Sequence, residues 1–296
     1  MASFRADPDL HEAPVFMNRL RIATVPYVNA APLVWGFTHG AARDLHELIA
    51  LPPARIPDLL LDGQVDAGLV PIIEAPRLER AGIVLLPSPG IASRRTARSV
   101  LLIARRPLET IRRIAVDHSS RTSVALLKII LAHRRVGQVT FDERPPDLAA
   151  MLREHDAALL IGDPALAADT GDFEVHDLAQ EWHAMTGLPF VFAAWALRPG
   201  TPFEEAGRIF AASMREGIRN IDAIAAAAAP GVGVPAAAIA SYLRDNIHYE
   251  IGPLEQRALS LFFARAHEMG LIDRPGPPHF FATARAAAAE PRGIPT

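Results

Sequence analysis

The chain has 296 residues, 50% of them hydrophobic, with a formal net charge of -3 and no cysteine. That length suits two modest α/β lobes or one large domain, with enough apolar material for a sizeable core. The near-neutral balance gives no electrostatic reason to expect nucleic acid, and the missing cysteines exclude disulfides, thiolate metal sites and a cysteine nucleophile.

Residues 1–18 are charged and lack an apolar core, so they read as a loose leader and not as a secretory signal. An apolar, β-branched run at 20–25 (LRIATV) predicts a first buried strand that Pro26 ends, and APLVWGF then begins a helix. A helix is expected over 53–63, where Ile56, Leu59 and Leu60 share a face and Gly63 is the stop. A strand at 65–70, a helix at 73–80 and strands at 83–86 and 99–104 (SVLLIA) follow. A second α/β unit carries strands at 113–116, 139–141 and 157–161, with helices at 119–135 and 146–153. Val124, Leu127 and Leu131 form the apolar face of the first of those helices. FVFAAWAL at 190–197 is a long apolar strand. From 202 to about 271 the pattern is helical, broken at PGVGVP, with Leu254, Leu261, Phe262 and Met269 as the apolar positions of the last helix. The Pro-, Ala- and Gly-rich remainder reads as a mobile tail. No stretch approaches the roughly 18 uninterrupted apolar residues of a membrane span, so a soluble, cytoplasmic protein is expected.

Alternation of strands and helices predicts parallel sheets covered by helices. Two lobes are expected, the first over 19–104 together with 195–273 and the second over 105–194, with the tail at 274–296. FVFAAWAL is the natural segment to cross back, and hinges are expected near 104–107 and near Trp195. Sheets of this kind bind ligands beyond the carboxyl ends of their strands, and two lobes place that crevice between them.

The polar residues at strand ends are therefore the candidates. Asn29 follows the first strand and could meet a ligand or serve as a turn residue. Ser99 opens SVLLIA, where its hydroxyl could face the cleft or mark the edge of a buried segment. Ser119, Ser120, Thr122 and Ser123 cluster where a strand gives way to an amphipathic helix. Hydroxyls and free N–H groups at a helix start favour an anion, whereas an ordinary N-cap needs only one of the four. Asp163 precedes Pro164, which also describes an ordinary helix start. The loop 186–189 offers a hydroxyl and backbone groups, or is a tight turn.

Other chemistry is absent. No Gly-rich dinucleotide turn follows a strand, and there is no phosphate-binding P-loop, nucleophile elbow or HExxH. Neither a metal nor a nucleotide cofactor is expected. These residues alone leave an enzyme and a binding protein both open.

Several segments, in order, resemble one family: VPYVNAAPL, LLLDGQVDAGLVP, ARSVLLIA, DHSSRTSVALLK, AALLIGDPAL, EWHAMTGLPFVFAAWA and YLRDNIHYEIG. They resemble the chorismate dehydratases of the futalosine route to menaquinone, relatives of the type 2 periplasmic binding proteins. The resemblance implies an α/β, two-lobed fold with the ligand cleft between the lobes. It implies a cofactor-free lyase that converts chorismate to 3-[(1-carboxyvinyl)oxy]benzoate and water, with no nucleic-acid or membrane partner. Asn29 falls on the family's active-site Asn and Ser99 on its active-site Ser. Ser119, Thr122 and Ser123 fall on the hydroxyl-rich helix start that holds a substrate carboxylate. Asp163, Thr186, Gly187 and Leu188 fall on segments that line the cleft. Where many relatives carry a small hydroxyl residue and an aromatic around a Glu, this chain has Ile72, Ile73, Glu74 and Ala75.

Two alternatives remain. A sister family of the same fold forms 1,4-dihydroxy-6-naphthoate and carries a Ser-Pro-Cys-Pro-Asn-Asp motif after its first strand. Pro26, Tyr27, Val28 and Asn29 stand there instead, which favours the dehydratase. A non-catalytic solute-binding protein would be expected to carry an export signal.

Overall fold

The computed structural model describes residues 19–40, 42–274, 276 and 280. The expected leader and most of the expected tail lie outside them. Four strands open the chain: β1 (Arg21–Thr24), β2 (Glu47–Ala50), β3 (Ala67–Pro71) and β4 (Val84–Ser93). Helices α1 (Ala31–Thr38), α2 (Ile56–Leu61) and α3 (Ala75–Glu79) connect them. The middle of the chain supplies β5 (Val100–Ala104), β6 (Arg113–Asp117), β7 (Thr140–Arg144), β8 (Ala157–Ile161) and β9 (Glu174–Asp177). Its helices are α4 (Arg121–His133), α5 (Leu148–Glu154), α6 (Gly162–Leu166) and α7 (Leu178–Thr186). Then β10 (Phe190–Leu197) leads into α8 (Phe203–Arg219), α9 (Ile221–Val232), α10 (Ala236–Ser241) and α11 (Pro253–Glu268). No helix among the described residues is long and apolar enough to cross a membrane.

The strands form two five-stranded sheets, ordered β2-β1-β3-β10-β4 and β7-β6-β8-β5-β9. Both are mixed, where parallel sheets were expected. β10 runs antiparallel to β3 and β4, and β5 runs antiparallel to β8 and β9. These are the strands by which the chain changes sheets, and crossing over reverses their direction.

The pairing also moves the lobe boundaries. Val100–Ala104 hydrogen-bonds to β8 and β9, so it belongs to the second sheet and not to a first lobe ending at 104. All of β10 belongs to the first sheet, five residues earlier than expected at its start. The chain therefore crosses at 94–99 and at 187–189, and not at the hinges expected near 104–107 and Trp195. Asp177 clamps the first crossing by accepting from the Ala97 and Arg98 N–H groups at 3.2 and 2.6 Å.

Three further departures have local causes. β2 is an edge strand of four residues with no buried position, so its pattern carries little apolar signal. β9 is likewise a short edge strand. β4 runs on through Pro87 and Pro89, which an edge strand tolerates because its outer N–H groups pair with nothing in the sheet.

The first core joins β1, β3, α1 and the helical end, with Trp195, Phe210 and Tyr242 inside. The helices α1 and α8 touch closely: a Cβ on Gly217 would lie 2.1 Å from the Pro32 carbonyl oxygen. The second core joins β5, β6, α4 and α7 to α11, around Trp182, Phe190 and Phe262. In α11 the inward residues are Ala258, Leu259, Phe262, Phe263 and Ala266. Leu254 and Met269, expected on that face, are 44% and 40% exposed. The last helix thus packs against the second lobe's helix α4 as well as β10.

Candidate active site

Each lobe offers strand ends and helix starts to one cleft of about 600 Å³, its open mouth included. The turn after β1 supplies Tyr27 and Asn29, and β3 supplies Leu69 and Pro71. The second sheet supplies Ser99, Val100, Ile161 and Gly162, and the start of α4 supplies residues 119–123. Phe192, Ala193 and Ile247 close an apolar wall. Such a cavity is within the usual size for a small-molecule site, apolar with a few aimed polar groups.

Five of the nine residues singled out from sequence meet there: Asn29, Ser99, Ser119, Thr122 and Ser123. Four do not. Asp163 sits at the start of α6 and its carboxylate accepts from the Val28 N–H at 2.9 Å. It ties the second lobe to the turn after β1 from outside the cleft. Thr186 donates to the Trp182 carbonyl at 2.8 Å and accepts from the Leu188 N–H at 3.1 Å. Gly187, at φ 70°, caps the end of α7. The loop 186–189 is thus a helix stop; it also receives the buried Trp182 indole N–H at the Pro189 carbonyl, 2.9 Å away.

The hydroxyls at the start of α4 divide by what they touch. Ser119 Oγ donates to Asp117 Oδ1 at 2.8 Å, so it accepts from the Tyr27 hydroxyl at 3.2 Å. Thr122 Oγ1 accepts from the Ile73 N–H of the first lobe at 3.3 Å. Ser120 occupies the N-cap without capping, and its Oγ is buried without a partner. The first N–H groups of α4 have no carbonyl inside the helix to bind, so the site favours an anion. Arg121 is the one charged side chain lining the cleft among the described residues. Its guanidinium pairs with Glu74 of the first lobe at 2.9 Å, and Glu74 pairs with Arg77 at 3.2 Å. The segment 72–75 therefore meets the helix start through Ile73 N–H and Glu74.

Asn29 Oδ1 is the other buried, unpartnered polar atom on the cleft wall. Ser99 is 2% exposed and donates to the Ala97 carbonyl at 3.3 Å. Behind it Tyr242, from the helical end, donates to Ser99 Oγ at 2.7 Å. Burial raises the Tyr242 phenol above the usual tyrosine range, while hydrogen bonds to Ser99 and Asn29 act the other way. Burial likewise raises the Tyr27 phenol, with the Ser119 bond opposing it. Both hydroxyls stay protonated near neutral pH and act as donors. Gly162 completes the wall: its φ is 62°, and a Cβ there would lie 2.6 Å from the Tyr27 ring.

Sequence reasoning missed Tyr27, Arg121 and Tyr242 as site residues. Tyr27 lies two residues before Asn29 and Arg121 lies inside the hydroxyl cluster, so position gave a signal for both. Tyr242 had none, because an aromatic in a helical stretch reads as core.

A chorismate dehydratase of Thermus thermophilus is 32% identical over 263 residues, which cover 83% of this chain and 93% of that one. The crystal structure of a protein from Archaeoglobus fulgidus superposes with a TM-score of 0.71 at 22% identity, over 86% of this chain and 98% of that one. The periplasmic aliphatic sulphonate binding protein of Escherichia coli does so with a TM-score of 0.59 at 17% identity, over 94% and 97%. The two structures establish the fold alone, that of the periplasmic binding proteins. The sequence model of a family described as menaquinone biosynthesis matches residues 20–268, and the chain belongs to that family.

Proposed function

We propose that this protein is a chorismate dehydratase, a carbon–oxygen lyase that forms 3-[(1-carboxyvinyl)oxy]benzoate and water. The observation that carries the reading is the meeting of Asn29, Ser99 and the hydroxyl-rich start of α4 around one cleft. The relationship to the Thermus enzyme supports the substrate.

Chorismate carries one carboxylate on its ring and one on its enolpyruvyl ether. The reaction breaks the C–H bond at the ether-bearing carbon and the C–O bond of the neighbouring ring hydroxyl. The electron pair of the first becomes the new ring double bond, the second leaves as hydroxide, and the proton joins it as water. The ring becomes aromatic, so the driving force is large and the enzyme's task is chiefly placement. Charge that develops at the ether-bearing carbon spreads through the diene to the ring carboxylate. The N–H groups of α4, with Ser120 and Ser123 of the cleft lining, would hold that carboxylate and stabilise the charge. The cleft wall offers no His or Glu as a base among the described residues. The substrate's own enolpyruvyl carboxylate takes the proton, its proximity replacing a protein base. Asn29 and Ser99 orient that carboxylate and the departing hydroxyl.

The test is purified protein with chorismate, followed by loss of the diene absorbance and by mass. A product lighter by one water supports the reading, and chorismate left unchanged, bound or not, overturns it. Full turnover in both Asn29→Ala and Ser99→Ala would overturn the residue assignment while leaving the activity.

A further inference from the structure

The stretch after α10 is a single π-helical turn, Tyr242–Asn246, closed by the Ile247 N–H on the Tyr242 carbonyl at 3.3 Å. A π-turn is rare, and costs regular hydrogen bonding where an α-helix would serve. Here it grips the crossing between β4 and β5 at two points. Asn246 Nδ2 donates to the Thr96 carbonyl at 3.1 Å and to Thr96 Oγ1 at 2.9 Å. Three residues along that crossing, Ser99 Oγ receives the Tyr242 hydroxyl. The same turn delivers Ile247 to the cleft wall, while Tyr242, 1% exposed, stays behind it.

The donors and acceptors around Tyr242 give a direction to the Ser99 proton. Its proton goes to Ser99 Oγ, which fills one acceptor site of that hydroxyl. The Ser99 proton is then directed away from Tyr242, held at rest by a long 3.3 Å bond to the Ala97 carbonyl. A bond of that length is easily exchanged for a ligand oxygen. Asn29 Oδ1, on the same cleft wall, is buried with no partner.

Resting on the chorismate dehydratase reading, we infer that Tyr242 is a positioning residue that fixes Ser99 as a donor toward the substrate. The consequence for the chemistry is specific. Ser99 hydrogen-bonds an anionic or departing oxygen of the substrate. Tyr242 touches no substrate atom; it stops the serine proton from pointing inward.

Tyr242→Phe keeps the ring and removes only the hydroxyl. With wild-type turnover of chorismate measured first, kcat of the variant should fall about ten- to a hundredfold with KM changed less than about threefold. Tyr249→Phe is the control: that tyrosine is also buried, its hydroxyl has no partner, and its removal should leave kcat unchanged. In a Ser99→Ala background, Tyr242→Phe should cost no more than about a further threefold, because its route through Ser99 is already gone. The double variant leaves no hydroxyl orphaned, so it serves if the single one does not fold. A wild-type protein inert toward chorismate overturns the dehydratase reading. An active wild type with an equally active Tyr242→Phe, an equal loss in Tyr249→Phe, or a full additional loss in the Ser99→Ala background overturns this inference alone.

Discussion

Replacing Ser120 by alanine should move activity and stability in opposite directions. In the free protein Ser120 Oγ is buried with no partner and does not cap α4. A buried, unsatisfied hydroxyl costs about 1–3 kcal/mol. Removing it should leave the melting temperature unchanged or raise it, by up to about 4 °C per kcal/mol in a chain of this size. On the dehydratase reading, the same hydroxyl would face a substrate carboxylate. A hydrogen bond to a charged group contributes about 1.5–3 kcal/mol. At roughly 1.4 kcal/mol per tenfold, Ser120→Ala should lower kcat/KM by about 10- to 150-fold. The assay is initial rate of diene loss against chorismate concentration, beside a thermal melt without ligand. A variant that keeps kcat/KM within about twofold, or that melts several degrees lower, would refute the reasoning. The first result would mean that the hydroxyl does not meet the substrate. The second would mean that it bonds within the protein.

Four further outcomes follow from the same contacts. Thr122→Ala removes the acceptor for the Ile73 N–H between the lobes, a neutral bond contributing about 0.5–1.5 kcal/mol. KM for chorismate should rise about 2- to 12-fold with kcat nearly constant; steady-state kinetics showing the reverse pattern would oppose it. Gly162→Ala forces a side chain into left-handed backbone at about 1–2 kcal/mol and pushes the Tyr27 ring away, so both melting temperature and kcat/KM should fall. Burial raises the Asp163 carboxyl above the ordinary carboxylate range, more than the Val28 N–H bond lowers it. The folded protein then binds the extra proton, so this stability is whole below the unfolded value and is lost as pH rises through the folded one. Asp163→Asn keeps an oxygen for Val28 and cannot ionise, so its melting temperature relative to wild type should climb from about pH 3 to about pH 7; a flat difference would count against it. Phe262→Ala should cost about 3–5 kcal/mol in denaturant unfolding, whereas exposed Leu254→Ala should stay within about 0.5 kcal/mol.

What could be read in the sequence was what is buried on both faces. The runs RIAT, VLLIA, AALLI and FVFAAWAL could be read as strands because short apolar runs suit a covered sheet. The edge strands ELIA and EVHD escaped for the converse reason. Strand direction escaped too, because β5 and β10 reverse through pairing with distant segments and nothing local encodes it. The same division holds at the site. Asn29, Ser99 and the α4 hydroxyls sit just after or before such runs, so position alone nominated them. Asp163 matched the same pattern and yet turns its carboxylate onto the Val28 N–H. Composition does not distinguish a residue that faces the cleft from one that ties its rim.

That distinction sharpens what the start of α4 does. Its hydroxyls fall into two pairs by what they touch. Ser119 and Thr122 engage the first lobe through Tyr27 and Ile73. All four line the cleft, and Ser120 Oγ has no partner within the protein. Arg121, between the pairs, reaches Glu74 across the same gap. On the dehydratase reading, substrate and the opposite lobe would both bear on this one helix start. The neutral bonds across the gap, from Ser119 and Thr122, contribute only about 0.5–1.5 kcal/mol each, and the bond to the Asp163 carboxylate about 1.5–3 kcal/mol. The partly exposed Arg121 ion pair adds about a kcal/mol at most. The lobes also share the apolar core around Phe190 and Phe262, so these polar contacts are one part of what joins them. On the dehydratase reading, a carboxylate held by Ser120 and the α4 N–H groups would add its own contacts at that helix start, and it would favour the joined arrangement over an open one by no more than its differential affinity for the two.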